Sequence, residues 1–500
     1  MDQVGLTARA RRHWLFGLVL VAALVLRILV ALAFRPIMWF GGDSASYLAT
    51  GLRLIPDPSR VGGYGFMLWV LRPLHSFALV AAVQHLMGLA MGVLIYLLAR
   101  RFGLPAWAAT LATVPVLFDA YELQLEADAV PDVPFGLLVV LALYLLLRSP
   151  GERRPARTTA AAFLLGVSAL LWPVGLVLLG VLLAVLLIAL LIRRAGLVTV
   201  LAALLAGALP VAAYSAWFSI HRHQFSLTRS DGVYLWSRTM SFADCAVIRP
   251  PAAERPLCPP PGPRIAASLY IWNANSPVLA MPSGRFSART NHLALRFALR
   301  AIAAQPGGYA AAVGHDFALS FFWDRPVHPD AAIVDRYQFA DAATAWVPPT
   351  LWTPGGGTLA GDQAAYNNGR PAPTRAVQPY ASWLVSYQRY VYLPGTLLGV
   401  ILLAGLAGMA VRRRVSGAGL PWVFAVTILL VPPLVADFDL RYLVPAVPVA
   451  CLAAALAFAP GAGQRRWTTS PAATATSEPE DTRTSSLPSE STPTAGPESA

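Results

Sequence analysis

The sequence predicts an all-α polytopic membrane protein, with about ten transmembrane helices and a large extracytoplasmic region between the seventh and the eighth. Three observations carry this. Apolar residues fill 56% of the 500 positions and charged residues 13%, about half the charge of an ordinary soluble chain. Runs of roughly twenty apolar residues recur, each long enough to cross a hydrocarbon core about 30 Å thick. Between those runs the basic residues, all Arg or His because the chain has no lysine, gather in short clusters.

The first run, about 14–34, is too long for the core of a signal peptide and carries Arg27 inside it, so it reads as a retained anchor. Runs at about 76–99, 104–118, 133–148, 158–172, 174–192 and 196–218 complete an N-terminal bundle over 1–218. Two of them are separated at Trp172-Pro173, because 158–192 is too long for one crossing and proline stops a helix. Residues 219–392, rich in Pro, Gly, Trp and Tyr, form the extracytoplasmic region. Within it, 289–323 shows apolar residues at helical spacing with Arg296 and Arg300 on the other face. That pattern suits a helix on the membrane surface as well as one packed on a small domain. Three last runs, 393–411, 419–435 and 442–459, make the C-terminal helices of 393–460. The remainder, 461–500, is mostly Ser, Thr, Pro, Ala and Glu and is expected to be a disordered cytoplasmic tail.

Arginine orients the bundle. Clusters at Arg9, Arg11 and Arg12, at Arg100 and Arg101, at Arg148 to Arg157, at Arg193 and Arg194, at Arg412 to Arg414 and at Arg465 and Arg466 all fall on one side of ten spans. The positive-inside rule makes that side the cytoplasm, with both termini there and the chain in the plasma membrane. The net charge of +13 therefore reports topology and not nucleic-acid binding, since the cations are dispersed over many loops.

The opposite loops carry acids. Asp43 stands in "GGDSASYLA", just past the first span, with Gly41 and Gly42 before it and Trp39, Phe40 and Tyr47 around it. Aromatic walls would raise its proton affinity toward that of a useful base. The next outer loop, "DAYELQLEADAVPDVPF" (119–135), spaces Asp119, Glu122 and Glu126 at i, i+3 and i+7, on one helical face. Glu126 or Asp128 is expected to meet Asp43 across the outer mouth, while Glu122 completes the second-loop acids. No His/Cys cluster exists, so any metal there would be a hard, oxygen-bound ion such as Mg2+, Mn2+ or Ca2+. No organic cofactor is indicated.

Arginines suited to a phosphate are Arg60, Arg72, Arg238 and Arg441, with Arg325 also near the outer surface. Arg27, inside the first span, is a functional candidate by depth, or pairs with a helix-end carbonyl, His85 or Gln84. Trp39, Tyr47 and Tyr64 are placed to stack on sugar or isoprenoid, and Gly62, Gly63 and Gly65 around Tyr64 would permit a tight loop against a ligand. Cys245 and Cys258, thirteen positions apart in the outer region, suggest a disulfide. Walker, GxGxxG, GxSxG and HExxH motifs are absent, so an activated substrate must arrive in the lipid.

Taken in order, "GGDSASYLA", "LQLEADAVPDVPF", a late outer region and a closing "RYLVPAVP" resemble the GT-C superfamily of integral-membrane glycosyltransferases. The similarity is strongest to the actinobacterial branch related to protein mannosyltransferases and the lipid A aminoarabinose transferase. It implies a hexosyl- or pentosyltransferase of the cell envelope that takes a sugar from a polyprenyl-phosphate donor to a glycan, lipid or protein acceptor. On that resemblance Asp43 is the catalytic acid, and Glu126 or Asp128 matches the second-loop acids. The sequence has "EAD" where a paired "DE" or "EH" is usual. The competing readings are a lipid-linked-sugar flippase or transporter, and a non-catalytic envelope-assembly membrane protein.

Overall fold

The computed structural model describes residues 3–148, 155–341, 347–413 and 417–460, with side chains from His13 onward. The expected tail at 461–500 lies outside the described residues. What is described is almost wholly helical: twenty-two α-helices, four 3-10 turns and two pairs of two-residue strands. Six helices are long and apolar enough to cross a membrane: His13–Ala33, Phe77–Arg101, Val174–Leu191, Leu197–Arg222, Gly395–Arg412 and Leu440–Ala457. Three shorter apolar helices, Asp132–Leu147, Pro155–Leu171 and Gly419–Val435, add to them. The chain is a multi-pass, all-α membrane protein.

The run expected to form one helix at 104–118 does not. It folds as Ala106–Leu111 and Val114–Phe118, broken at Ala112 and Thr113. Pro115 lacks the N–H that would continue the ladder, and its ring would collide with the carbonyl of Leu111 in an unbroken helix. A third short helix, Ala120–Ala127, carries the chain on to the loop before Asp132. At the other suspected break, one helix ends at Leu171 and the next starts at Val174, with Trp172 and Pro173 between them.

Beyond Arg222 the chain builds a second small core on Val233, Trp236, Met240, Leu257, Ile271 and Phe297. The amphipathic stretch breaks at Pro306 into Ala288–Ala304 and Pro306–Leu319. Ala294, Phe297, Ala298 and Ala301 turn into that core, so the first half packs its apolar face on protein. Cys245 and Cys258 are joined as a disulfide beside it. Replacing both by alanine should cost about 3 kcal/mol in the chain-entropy account. The measurable form is earlier proteolysis of 231–301 in intact membranes, and unchanged protease resistance would deny the bond a stabilising role.

The glycines at 62–65 serve packing and not a ligand loop. Gly63 starts a helix, Gly63–Leu71, so close to the end of the helix Pro155–Leu171 that a Cβ would lie 2.3 Å from the Leu170 carbonyl oxygen. Gly65 abuts Thr50 in the same way, at 2.8 Å.

Candidate active site

The helix Gly41–Arg53 begins directly after the first span, and Asp43 sits in its first turn. A negative charge there complements the helix dipole. Gly41 takes φ +49°, and the start of the helix is fastened by Ser44, whose hydroxyl donates to the Ala129 carbonyl at 3.0 Å. Met38 and the 127–129 backbone exchange two further hydrogen bonds, Met38 N to Ala127 O at 2.8 Å and Ala129 N to Met38 O at 3.0 Å. The first and second acidic loops are therefore one unit.

Into this unit reaches Arg441, from the 3-10 turn Leu440–Tyr442 that opens the last span. Its Nη1 donates to Asp43 Oδ2 at 2.6 Å, while Nε and Nη2 hold the two Asp132 oxygens at 3.2 and 3.0 Å. The guanidinium also lies 5.2 Å from the Phe40 ring centroid. Arg60 grips the other Asp43 oxygen at 2.9 Å and the Gly42 carbonyl at 2.9 Å. Asp132 and Arg441 are buried, whereas the Asp43 side chain keeps 29% of its surface open. The cluster thus has one carboxylate facing outward between two guanidiniums.

Electrostatics reverse one expectation. Burial pushes the Asp43 carboxyl up, but Arg60, Arg441 and then Arg336 outweigh it and hold the group below the usual carboxylate range. The aromatic wall is present in Phe40, yet the cations win. Arg336, which the sequence did not single out, comes from the turn Asp335–Tyr337 and approaches so closely that a Cβ on Gly41 would lie 2.8 Å from its Nη1.

Beside Arg441, burial pushes the Asp439 carboxyl up from 3.8 to about 7, against the pull of Arg441. Its folded form holds a proton more tightly than the unfolded chain does. Asp439 therefore contributes stability below about pH 4 that is lost as pH rises through about 7. Asp439→Asn should remove that part of the decline in melting temperature, and an unchanged pH profile would contradict the assignment.

The second-loop acids are placed differently from expectation. Glu126 does not meet Asp43. It turns into the bundle, where Arg27 Nη2 contacts Oε1 at 2.6 Å and His85 Nδ1 contacts Oε2 at 2.8 Å. Arg27 also donates to the Leu117 carbonyl at 2.9 Å. Gly88 makes the room, since a Cβ there would stand 1.7 Å from Glu126 Oε1. Glu122, one turn earlier, is buried with Oε1 unpartnered among the described residues, facing Asp119 and Arg325 across a small cavity. Asp119 is spent on capping, accepting from Tyr121 and Glu122 backbone N–H groups. Asp128 is buried next to the site, with Oδ2 unpartnered among the described residues. The acid that shares Arg441 with Asp43 is Asp132, which opens the helix Asp132–Leu147.

Of the arginines expected from the sequence, Arg60 and Arg441 converge on Asp43 and the others do not. Arg72 donates to the Leu52 carbonyl at 3.3 Å, at the far end of the helix that Asp43 begins. Arg238 is buried, pairs with Asp316 and donates to the Ala436 carbonyl at 3.1 Å, so it steadies the loop that carries Arg441. Arg325 stacks on Tyr121 and Tyr392 at 4.9 and 5.6 Å. Trp39, Tyr47 and Tyr64 are buried core residues with no face free for stacking. Trp39 donates to the Ala372 carbonyl at 2.8 Å, and Tyr47 packs edge-on to Tyr64. Tyr64 donates to Gln84 at 2.6 Å, and Gln84 in turn donates to the carbonyls of Glu126 and Asp128. These aromatics position the acidic loop instead.

Asp43 and Asp132 are answered by arginine and Asp119 by backbone N–H groups, while Glu122 Oε1 and Asp128 Oδ2 stay unpartnered among the described residues. Among the described residues no three His, Cys, Asp or Glu side chains are grouped to hold a metal ion.

No protein-family model and no curated protein matches the chain. Among solved structures it is similar to ArnT from Cupriavidus metallidurans bound to undecaprenyl phosphate, at 15% identity and a TM-score of 0.35, over 89% of this chain and 77% of that one. It is also similar to the Archaeoglobus fulgidus oligosaccharyltransferase tethered to an acceptor peptide, at 14% identity and a TM-score of 0.38, over 90% of this chain. The chain spans 50% of that enzyme's length. A likeness of this size assigns no residue and no substrate.

Proposed function

We propose that the chain is a membrane glycosyltransferase that moves a sugar from a polyprenyl-phosphate carrier to an acceptor on the extracytoplasmic side. The observation that carries the reading is Asp43, a partly open carboxylate clasped by Arg60 and Arg441 at the mouth of the membrane helices. Transfer from a lipid phosphate asks for two things, a group to take the acceptor's proton and fixed cations for the departing phosphate. Both kinds of group are present within hydrogen-bond distance of one another. The expected topology supports the reading: the arginine clusters put the cytoplasm on the other side, so nucleotide sugars would not be supplied at Asp43.

In this scheme the donor enters from the outer leaflet and its phosphate takes up Arg60, Arg336 and the Asp43-facing arm of Arg441. That withdraws cations from Asp43, so its proton affinity rises when the donor is in place. Asp132 keeps the other two nitrogens of Arg441 and fixes the guanidinium plane. The acceptor oxygen attacks the anomeric carbon, Asp43 receives the hydroxyl proton, and the carrier leaves as polyprenyl phosphate. Acid and clasp are thus coupled.

The test uses the full chain in nanodiscs with polyprenyl-phosphate hexose or pentose donors and cell-envelope acceptors. Labelled sugar should pass to the acceptor and free polyprenyl phosphate should accumulate. Donor binding without transfer to any acceptor, together with movement of the donor between leaflets, would replace the enzyme by a transporter.

A further inference from the structure

On the far side of Arg60 from Asp43 stands Trp272, at the end of the short helix Leu269–Trp272, with its ring centroid 5.5 Å from the guanidinium carbon. A second guanidinium, that of Arg285, lies 5.2 Å from the same ring and 5.8 Å from Phe286. Trp272 is 42% exposed, unlike Trp39 and Trp236, which are closed into cores. It is the open aromatic side chain next to Asp43's arginine.

Arg285 differs from Arg60 and Arg441. Arg60 and Arg441 are both matched by carboxylates, whereas Arg285 has no carboxylate partner among the described residues, and its buried Nε has no acceptor. Its contacts are the two aromatic rings. Stacking fixes the plane of a guanidinium and leaves its outward N–H groups unspent, a geometry suited to a carboxylate or phosphate held by two parallel hydrogen bonds. The exposed part of the Trp272 indole offers apolar contact to a sugar ring beside that fork.

We propose that Trp272 and Arg285 form an acceptor subsite for an acidic sugar, a ring carrying a carboxylate or a phosphate ester, one step out from the hydroxyl that meets Asp43. The proposal rests on the transferase reading for the word acceptor. The anionic ligand class rests on the Trp272–Arg285 geometry alone. The acidic group sits on Arg285, the ring packs against the exposed part of Trp272, and Arg60 joins this subsite to the Asp43 clasp.

The experiment measures binding of three disaccharides to the full chain in nanodiscs: a neutral one, one ending in glucuronic acid, and one ending in a sugar phosphate. At low salt at least one acidic probe should bind roughly tenfold or more tightly than the neutral probe, the scale of a charge-assisted hydrogen bond. The stronger acidic arm names the acid. Added salt should erode the preference. Arg285→Ala should abolish it, Arg285→Lys should keep part of it, and Trp272→Ala should weaken all three probes together. Equal binding of neutral and acidic probes, or a preference that survives Arg285→Ala, overturns the proposal. Failure of the transferase reading shows elsewhere, as absent sugar transfer by the parent protein, and leaves the acid preference standing as a binding property.

Discussion

Asp43→Asn should lower sugar transfer by roughly 10²–10⁴-fold, the range credited to a positioned general base. Asparagine keeps the size of the side chain and can still accept from Arg60 and Arg441, so the mouth stays assembled. What it cannot do is hold the acceptor's proton. Donor affinity should change much less than turnover, because the donor's phosphate is met by guanidiniums. The measurement is single-turnover transfer at equal membrane abundance, with donor binding read separately. Transfer equal to that of the parent protein would remove Asp43 from the chemistry and favour a transporter or a scaffold. Arg441→Lys offers the complementary pattern: a point charge cannot reproduce the three-nitrogen grip on Asp43 and Asp132. Both donor binding and turnover should fall there.

The largest effect on stability is expected deep in the bundle, at Arg27 and Glu126. Both side chains are almost wholly buried, at 1% and 0% exposure. Glu126→Gln leaves the Arg27 charge without its counter-ion, a change worth about 3–5 kcal/mol when a buried pair is broken from one side. The double variant Arg27→Met with Glu126→Gln should recover much of that loss, because removing both charges also removes their desolvation cost. Thermal unfolding of the purified protein in nanodiscs reads both. If the single variant melts with the parent, the pair contributes nothing to the fold.

The membrane architecture was legible because its cause is bulk: a helix must be apolar for about twenty residues to cross. The break at Pro115 was harder, since the run around it is equally apolar and only the ring geometry stops the ladder. Asp43 was legible from its place, one acid immediately after a long span. Its partner was not. Glu126, Asp128 and Asp132 lie within seven positions of one another, and which of them faces the mouth depends on the helix ending at Ala127 and restarting at Asp132. The same local detail sends Glu126 to Arg27 in place of Asp43. Arg336, Trp272 and Arg285 come from segments with no motif, and only tertiary folding brings them near.

Asp57 shows the same limit in a smaller way. Set between two prolines, it reads as a solvated turn acid, yet it is buried and accepts from the Ser46 hydroxyl and from both the backbone N–H and the hydroxyl of Ser59. It organises the loop that ends in Arg60. Asp57→Asn should therefore act through loop stability and not silently.

The Arg441 turn has a consequence for how the molecule is made. It lies more than four hundred residues after the first span, and its loop is also tied to the 231–319 segment through Arg238, Asp316 and the Ser268 N–H on Asp437. A ribosome therefore releases the two carboxylates long before the cation that reconciles them. Until the final helix inserts, Asp43 has Arg60 but not Arg441, and Asp132 lacks the guanidinium that holds both its oxygens. Acquisition of the full clasp therefore waits for the last apolar helix, and a product ending before Arg441 lacks it.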